Sequence, residues 1–203
     1  AFFQTKLYTG TGSSNAITGV GFQPDFCWIK NRGTATAARV FDSVRGATKV
    51  LYTSETDGEG TNAQSLKSFD SDGFTMGTHA TLNASSNNIV SWNWKAGTAL
   101  NNSAGANGGS IATTGSINTT SGFGIVKYEG SGADATIYHG LGKIPRLIIT
   151  KNIDQTFHWS VYTFNSNTKI LRLNGTNAEA TETAFQSTHP TATVQSLGDH
   201  NQN

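Results

Sequence analysis

Acidic side chains cluster in two short stretches, and these are the first residues whose spacing could support chemistry. The stretch SETDGEG contains Glu55, Asp57 and Glu59, and the stretch DSDG contains Asp70 and Asp72. Carboxylates this close together can supply oxygen ligands to Ca²⁺, but a calcium loop needs about six or more oxygens and neither stretch has the full EF-hand spacing. Asp and Gly are also ordinary residues of tight turns. We therefore expect turns here and predict no metal site.

The histidines have no spacing that predicts a zinc site or a catalytic base. No HxH or HxxxH pair occurs, and no order of Ser, His and Asp identifies a triad without geometry. The glycine-rich stretches GTGSS and GLGK lack the Walker pattern, and no predicted helix follows them to bind phosphate. We predict no catalytic residues and no cofactor. The five histidines are His79, His139, His158, His189 and His200.

The four tryptophans allow two interpretations. Exposed on a concave face, indole rings can stack on sugar rings; buried, they supply the large apolar areas that small domains need. The stretch IVSWNW alternates with period 2 and places Val90, Trp92 and Trp94 on one strand face. Trp28 lies in the apolar run FCWIK, and Trp159 follows His158 in a predicted strand. We expect all four rings to pack in cores, and ligand-binding residues stay unassigned.

A segment that would help to position these side chains occurs twice in the sequence. YTGTGSSNAITGVGFQPDFCWIKN, from Tyr8 to Asn31, returns as YEGSGADATIYHGLGKIPRLIITKN, from Tyr128 to Asn152. The offset is 120 residues at first and 121 after one inserted residue, and it persists where TMG at 75–77 meets SLG at 196–198. Glycines and a proline held in register need particular backbone angles. We interpret this as an internal duplication that encodes a structural segment of each copy.

Strand signals dominate both copies. Short stretches with period-2 alternation are separated by Gly, Asn and Asp turns, a pattern typical of β-sandwiches. We predict an all-β chain of two tandem β-sandwich domains, at 1–97 and 122–203, joined by a linker at 98–121 that is rich in Gly, Ser and Asn. The counterpart of the last strand of copy one, 89–95, would fall beyond residue 203. Copy two is therefore expected to need a strand from elsewhere, either from a longer chain or from a neighbouring subunit.

Composition argues against several functional classes. The chain has 203 residues, of which 35% are hydrophobic and 13% charged, with a net charge of +1. Such a balance offers no basic surface for nucleic acid. No apolar stretch approaches the ~20 residues that span a bilayer. The single cysteine, Cys27, cannot form an intrachain disulfide and is expected to be a small buried residue.

Several stretches are specific enough to support a family resemblance. ITGVGFQPDFCWIKNR, FDSVRGA, SFDSDGFTMG and IVSWNWKAG, with HGLGKIPRLIITKN in copy two, resemble the repeated domain of structural proteins of tailed phages of marine bacteria and cyanobacteria. The resemblance covers nearly the whole chain. It implies a jelly-roll sandwich similar to concanavalin-like lectins and laminin-G modules, and a non-enzymatic tail-fibre, tail-associated or capsid-decorating role. It further implies a location in the virion, with assembly in the host cytoplasm.

The resemblance also sets the expected partners. These are other virion proteins, further copies of the chain in a homo-oligomer, and host-surface polysaccharide. The leading alternative is a carbohydrate-binding module of an extracellular bacterial protein. A glycoside-active enzyme is the third class, and it is disfavoured because paired carboxylates must face each other across a groove. The acidic stretches here lie in predicted turns and copy two does not repeat them.

Overall fold

The computed structural model describes residues 1–199 and is almost entirely β-structure. Strand accounts for 41% and helix for 4%, and the sheets are antiparallel. This confirms the predicted all-β sandwich class. The chain divides into two compact units, of which unit 1 comprises residues 1–55 and 59–97, and unit 2 comprises residues 56–58 and the described residues from 98 onwards. None of the described helices has the length and apolar character needed to cross a membrane.

Unit 1 consists of two antiparallel sheets and one short helix. The larger sheet has six strands in the order β1-β9-β3-β4-β5-β6, and the smaller has three in the order β2-β8-β7. Strand β9 lies between β1 and β3 and is antiparallel to both. The elements are β1 Phe3–Thr9, β2 Asn15–Ile17, β3 Phe26–Asn31, β4 Arg39–Asp42, β5 Lys49–Tyr52, β6 Gly60–Thr61, β7 Leu66–Asp70, β8 Gly73–Met76, α1 Ala80–Asn83 and β9 Asn88–Trp94.

The core of unit 1 lies between its two sheets. The larger sheet contributes Ile29 and Phe41, the smaller contributes Phe74 and Met76, and all four side chains have no exposed surface. Cys27 belongs to the same buried cluster, as expected for a small apolar side chain. Burial raises the pKa of its thiol well above the ordinary value, since the thiolate would be desolvated. Removal of this apolar surface from water holds the two sheets together.

Unit 2 has three antiparallel sheets. Their strand orders are β14-β15-β16-β17, β13-β18 and β10-β11-β12. Tyr162 and Ile170 of the first sheet pack with Ile137 and Leu197 of the second around a separate core. The elements are β10 Thr98–Asn102, a 3₁₀ turn Ala106–Gly108, β11 Thr113–Asn118, β12 Phe123–Tyr128, β13 Ala135–Tyr138, β14 Leu147–Thr150, β15 Ser160–Thr163, β16 Lys169–Arg172, β17 Ala180–Thr181 and β18 Val194–Leu197.

The stretch 98–121, expected to be a linker, contains two strands of unit 2. β10 pairs with β11, and β11 pairs with β12 from Thr113↔Tyr128 to Asn118↔Phe123. Leu100 and Ile117 are buried. The linker prediction is therefore wrong for 98–102 and 113–118, which form strands of unit 2. Leu100 and Ile117 give these otherwise small and polar strands an apolar face to bury.

Three pairs of the duplicated glycines adopt the same backbone conformation in both units. Their φ angles lie between 67° and 83°, the left-handed region that favours glycine. The pair Gly77 and Gly198 is retained for a different reason. A Cβ at Gly77 would lie 2.5 Å from the Gln64 carbonyl oxygen, and one at Gly198 would meet the Thr183 carbonyl oxygen. The matching glycines with positive φ are Gly12 and Gly132, Gly19 and Gly140, and Gly21 and Gly142.

The duplicated Lys-Asn pair organises the loop after the same strand in each unit. Lys30 Nζ donates to the carbonyl oxygens of Thr34 and Thr36 at 3.1 and 2.6 Å, and Asn31 Oδ1 accepts from the loop backbone at 2.9 Å. In unit 2, Lys151 Nζ donates to the Asn152 and Gln155 carbonyl oxygens, at 2.6 and 3.3 Å. The repeated Lys-Asn pair thus stabilises the loop that follows this strand in both units.

Replacing Gly77 with alanine is expected to destabilise unit 1 by about 1–3 kcal/mol, because the added methyl group would overlap rigid backbone. The measurement is the free energy of unfolding from urea denaturation. Gly33→Ala is the matched control, since its Cβ would lie 3.6 Å from the nearest atom, Asn31 Oδ1. Equal stability of the two variants would contradict the steric explanation.

Candidate functional site

The most distinctive surface of unit 1 is an aromatic face on its larger sheet. Strand alternation directs Trp92 and Trp94 of β9 to the face opposite the core, together with Trp28 of β3. The prediction that Trp92 and Trp94 share a face with Val90 is confirmed. The prediction of core packing is wrong for these three tryptophans, which are half-buried outside the core cluster. It holds for Trp159 of unit 2, which is buried.

Cross-strand pairing fixes the geometry of the three rings. Trp28 lies directly opposite Trp92 in the β3–β9 ladder. Trp94 is opposite Phe26 in that ladder, and their ring centroids are 5.5 Å apart in an edge-to-face arrangement. On its other side Trp94 meets Phe3 of β1, with centroids 4.8 Å apart. The Trp94 ring is thus held from both sides by aromatic neighbours, and strand pairing sets Trp28 and Trp92 beside each other.

The three indoles line a shallow apolar depression. Its volume is about 290 Å³, and the residues that line it are Trp28, Trp92 and Trp94. This volume lies just below the ~300–1,000 Å³ typical of small-molecule sites. The apolar surface continues across β1 on the same face, where Phe3 is 46% and Leu7 is 60% exposed. We call the depression and its three rings the tryptophan platform.

Polar residues occupy the inward positions of β9, which is the reverse of the usual pattern. Ser91 and Asn93 alternate with the tryptophans and are completely buried. Asn93 Nδ2 donates to the Gln4 carbonyl oxygen and to Ser91 Oγ, both at 3.0 Å. These bonds tie β9 to β1 and satisfy most of the buried polar groups. In most sandwich strands, apolar side chains face the core and polar side chains face solvent. Strand β9 reverses this arrangement by burying an amide and leaving large rings at the surface, and such reversals often occur at functional sites.

The acidic stretches form turns and ion pairs. Glu55 and Asp57 are exposed, and Glu59 pairs with Arg45 and Lys49 through contacts of 3.2 Å each. Among residues 1–199, no group of three or more His, Cys, Asp or Glu side chains is arranged to hold a metal ion. The structure therefore does not bring the predicted acidic stretches together into one site.

Asp72 supports the glycine crossover of unit 1. Its carboxylate accepts backbone hydrogen bonds from Gly19 at 2.9 Å and Gly21 at 2.6 Å. These bonds, assisted by the charge of Lys6, lower the pKa of Asp72 below its ordinary value. Asp70 accepts from Thr75 Oγ1 at 2.7 Å. Both aspartates thus have structural partners.

Four histidines are held in structural hydrogen bonds, and His200 lies outside the described residues. His79 Nδ1 accepts from the Thr81 amide at the start of α1, and burial with the nearby Arg39 charge lowers its pKa. His139 Nδ1 accepts from the Leu141 amide at 3.2 Å, and burial lowers the pKa of this side chain too. His158 contacts the Asn174 side chain, and His189 contacts the Tyr162 hydroxyl.

A second depression lies among loops of unit 2 and has a different character. Its volume is about 530 Å³. Small and polar residues form it, without the fixed rings that distinguish the tryptophan platform. The lining residues are Gly132, Ala133, Asp134, Thr183, Gln186, Ser187 and Asp199.

The fold and this surface define a β-sandwich protein with an exposed aromatic platform. The chain belongs to the family described as Domain of unknown function (DUF7483), whose model matches residues 1–203. The match spans both copies of the internal repeat. No curated protein and no solved structure matches the chain.

Sequence reasoning identified all four tryptophans but assigned Trp28, Trp92 and Trp94 to the wrong environment. Period-2 alternation separates two faces and does not say which one meets the other sheet. A usable signal was present in β3, where Cys27 and Ile29 alternate with Phe26 and Trp28. Both faces of that strand are apolar, so one face can pack in the core while the other still presents apolar side chains at the surface. Phe3 was missed because its role depends on the pairing of β1 with β9.

Replacing Asp72 with asparagine is expected to reduce the stability of unit 1 at neutral pH. A carboxyl whose folded-state pKa is lowered stabilises the fold above its unfolded-state pKa, and this contribution disappears as the pH falls through the folded-state value. The stability difference between wild type and Asp72→Asn should therefore shrink as the pH is lowered past the ordinary aspartate value of 3.8. Urea denaturation at neutral and acidic pH measures it, and a difference independent of pH would contradict this role.

Proposed function

We propose that this protein is a non-enzymatic structural module of a tailed-phage virion whose tryptophan platform binds host-surface polysaccharide. The observation that carries the binding role is the exposure of three pre-positioned indoles on adjacent positions of β3 and β9. Full burial of a large apolar side chain is worth about 1.5–3 kcal/mol, and these half-buried rings forgo part of it. Contiguous exposed apolar surface on a folded domain commonly marks an interaction site.

The chemistry of the platform suits a sugar. Pyranose rings present flat patches of C–H groups, which pack on the faces of indoles, while their hydroxyls remain in water. A shallow, open depression accommodates a ring within a longer polymer, because both ends of the polymer can leave it. Thr5 of β1, which lies opposite Trp92, supplies a hydroxyl beside the rings. The platform therefore favours a polysaccharide over a small isolated ligand.

The same surface supports binding rather than cleavage. Glycoside hydrolysis needs two carboxyl groups about 5–9.5 Å apart on either side of the bond. The residues that line the platform are tryptophans, which cannot act as general acid or base. Glu59, among the most buried of the acidic residues in the predicted stretches, is already engaged with Arg45 and Lys49.

The virion assignment rests on the sequence resemblance to repeated domains of phage structural proteins. A carbohydrate-binding module of an extracellular bacterial protein would use the same platform and is the alternative. The two are distinguished by detecting the chain in purified phage particles, where density or peptides from it would support the virion role. Its presence only in a secreted polysaccharide-binding protein would favour the alternative.

Replacing Trp92 with alanine is expected to weaken polysaccharide binding by about tenfold or more, since the loss of about 1.4 kcal/mol of contact energy gives that factor. The assay is binding of the full chain to an array of bacterial surface polysaccharides, followed by titration of the best binder. Leu7→Ala is the matched control, because Leu7 is exposed on the same sheet face but does not line the platform.

Two results would contradict the binding proposal. One is the absence of binding to any polysaccharide on the array, and the other is equal binding by Trp92→Ala and the wild type. Release of reducing sugar that is lost on mutation of a carboxylate would overturn the non-enzymatic assignment. Circular dichroism of each variant checks that the fold is retained.

A further inference from the structure

The outer face of β3 continues beyond the tryptophan platform with two cationic residues. The next outward position after Trp28 is Lys30, which lies opposite Val90 in the β3–β9 ladder. The position after that is Arg32, whose amide donates to the Asn88 carbonyl oxygen at 2.8 Å, so the backbone pairing extends to this residue. Strand alternation therefore places the side chains of Trp28, Lys30 and Arg32 in a row along one face.

Both cations of this row lack a carboxylate partner. Lys30 Nζ donates to the neutral carbonyl oxygens of Thr34 and Thr36, and an ammonium group has three donors, so one N–H remains for a ligand. Arg32 is exposed. The ion pairs within residues 1–199 involve neither Lys30 nor Arg32. The row thus presents two uncompensated positive charges beside the indole rings.

The segments around these two cations contain no acidic side chain. Strands β1, β3 and β9 lack Asp and Glu, as do the loops 10–14, 32–38 and 84–87 at this end of the sheet. On the neighbouring strand β4, Asp42 points to the same face, but it is buried and paired with Arg45. Because exposed charges act over about 10 Å at 0.1 M salt, this end of the face has a positive potential.

Arg32 is a feature of unit 1 and does not belong to the duplicated scaffold. At the repeat offset of 121 residues, the counterpart of Arg32 is Ile153. The platform ring Trp28 is replaced in the same way, by Ile149. Lys30, by contrast, has a lysine counterpart that holds the corresponding loop of unit 2. The arginine therefore accompanies the platform, whereas the lysine also has a structural role.

We propose that the polysaccharide bound by the tryptophan platform is acidic, and that Arg32 and Lys30 bind the carboxylates of its uronic acid residues. This inference rests on the binding role proposed above. Successive outward residues of a strand are about 6.7 Å apart, a spacing comparable to the length of one sugar residue. A polymer that lies along β3 with one ring on the indoles therefore reaches both cations. The planar guanidinium of arginine fits a carboxylate through two parallel hydrogen bonds.

The arrangement of the row favours an acidic polysaccharide over a nucleic acid. Binding of single-stranded nucleic acid without sequence preference uses a positively charged groove that follows the backbone over several nucleotides. Here the two cations lie at one end of the rings only. At the other end, the paired Asp42 lies opposite Phe26. Carboxylates carried on individual pyranose rings match this arrangement better than a continuous row of phosphates.

The test uses the full chain and uronate-containing polysaccharides, alginate among them, each paired with its carboxyl-reduced form. Carboxyl reduction keeps the polymer and its rings but replaces each carboxylate with a neutral hydroxymethyl group. We expect the acidic member of a pair to bind about fivefold more tightly or better at low salt, which corresponds to about 1 kcal/mol for exposed ion pairs. This preference should fall as the ionic strength rises. Calorimetric titration measures both effects.

Arg32→Gln should remove most of the preference for the acidic form. Lys67→Gln is the matched control, because Lys67 is exposed on β7 of the smaller sheet and its replacement changes the net charge equally. The control variant should retain the preference.

Three results would overturn this inference while the platform proposal stands, provided that Trp92→Ala still weakens polysaccharide binding. They are equal binding of the acidic and reduced forms, equal loss of preference in the two glutamine variants, and binding of neutral polysaccharides only. Tighter binding of single-stranded oligothymidylate than of any acidic polysaccharide would also overturn it. Failure of every polysaccharide to bind would overturn both proposals.

Discussion

The pairing of β9 with both β1 and β3 is the constraint on which unit 1 depends. This strand joins the first residues of the repeat to the buried strand that follows the glycine crossover. It connects the edge strand β1 to the rest of the larger sheet, contributes Ile89 to the core and carries two of the three platform rings. Asn93 and Ser91 hold it to the carbonyl groups of β1 from inside. Core, sheet and surface site therefore share one structural element.

A comparison of the two units shows what β9 contributes to unit 1. They share the glycine conformations, the Lys-Asn loop and a sandwich core of matching strands. They differ in that β1 and β3 of unit 1 both pair with β9, whereas their counterparts β12 and β14 belong to separate sheets among the described residues of unit 2. The aromatic site follows the same division, since Trp28 is replaced by Ile149 in the second copy. Duplication has preserved the scaffold while the surfaces have diverged.

The tryptophan platform offers apolar ring faces and few hydrogen-bonding groups, which suits the C–H faces of sugars. Its three rings lie on the solvent face of the larger sheet, opposite the core.

The sequence by itself determined the all-β class, the duplication and the shared face of Val90, Trp92 and Trp94, because period-2 alternation and glycine register are local properties of the chain. Only the tertiary structure decided which strand face meets the core. It did so through long-range pairing, which sets Cys27 against Asn93 and Trp28 against Trp92. It likewise turned 98–102 and 113–118 from an expected linker into strands, because β11 pairs with β12 and the side chains of Leu100 and Ile117 lie close to the backbone of Gly140. Such contacts depend on chain segments far apart in sequence, and no local pattern records them.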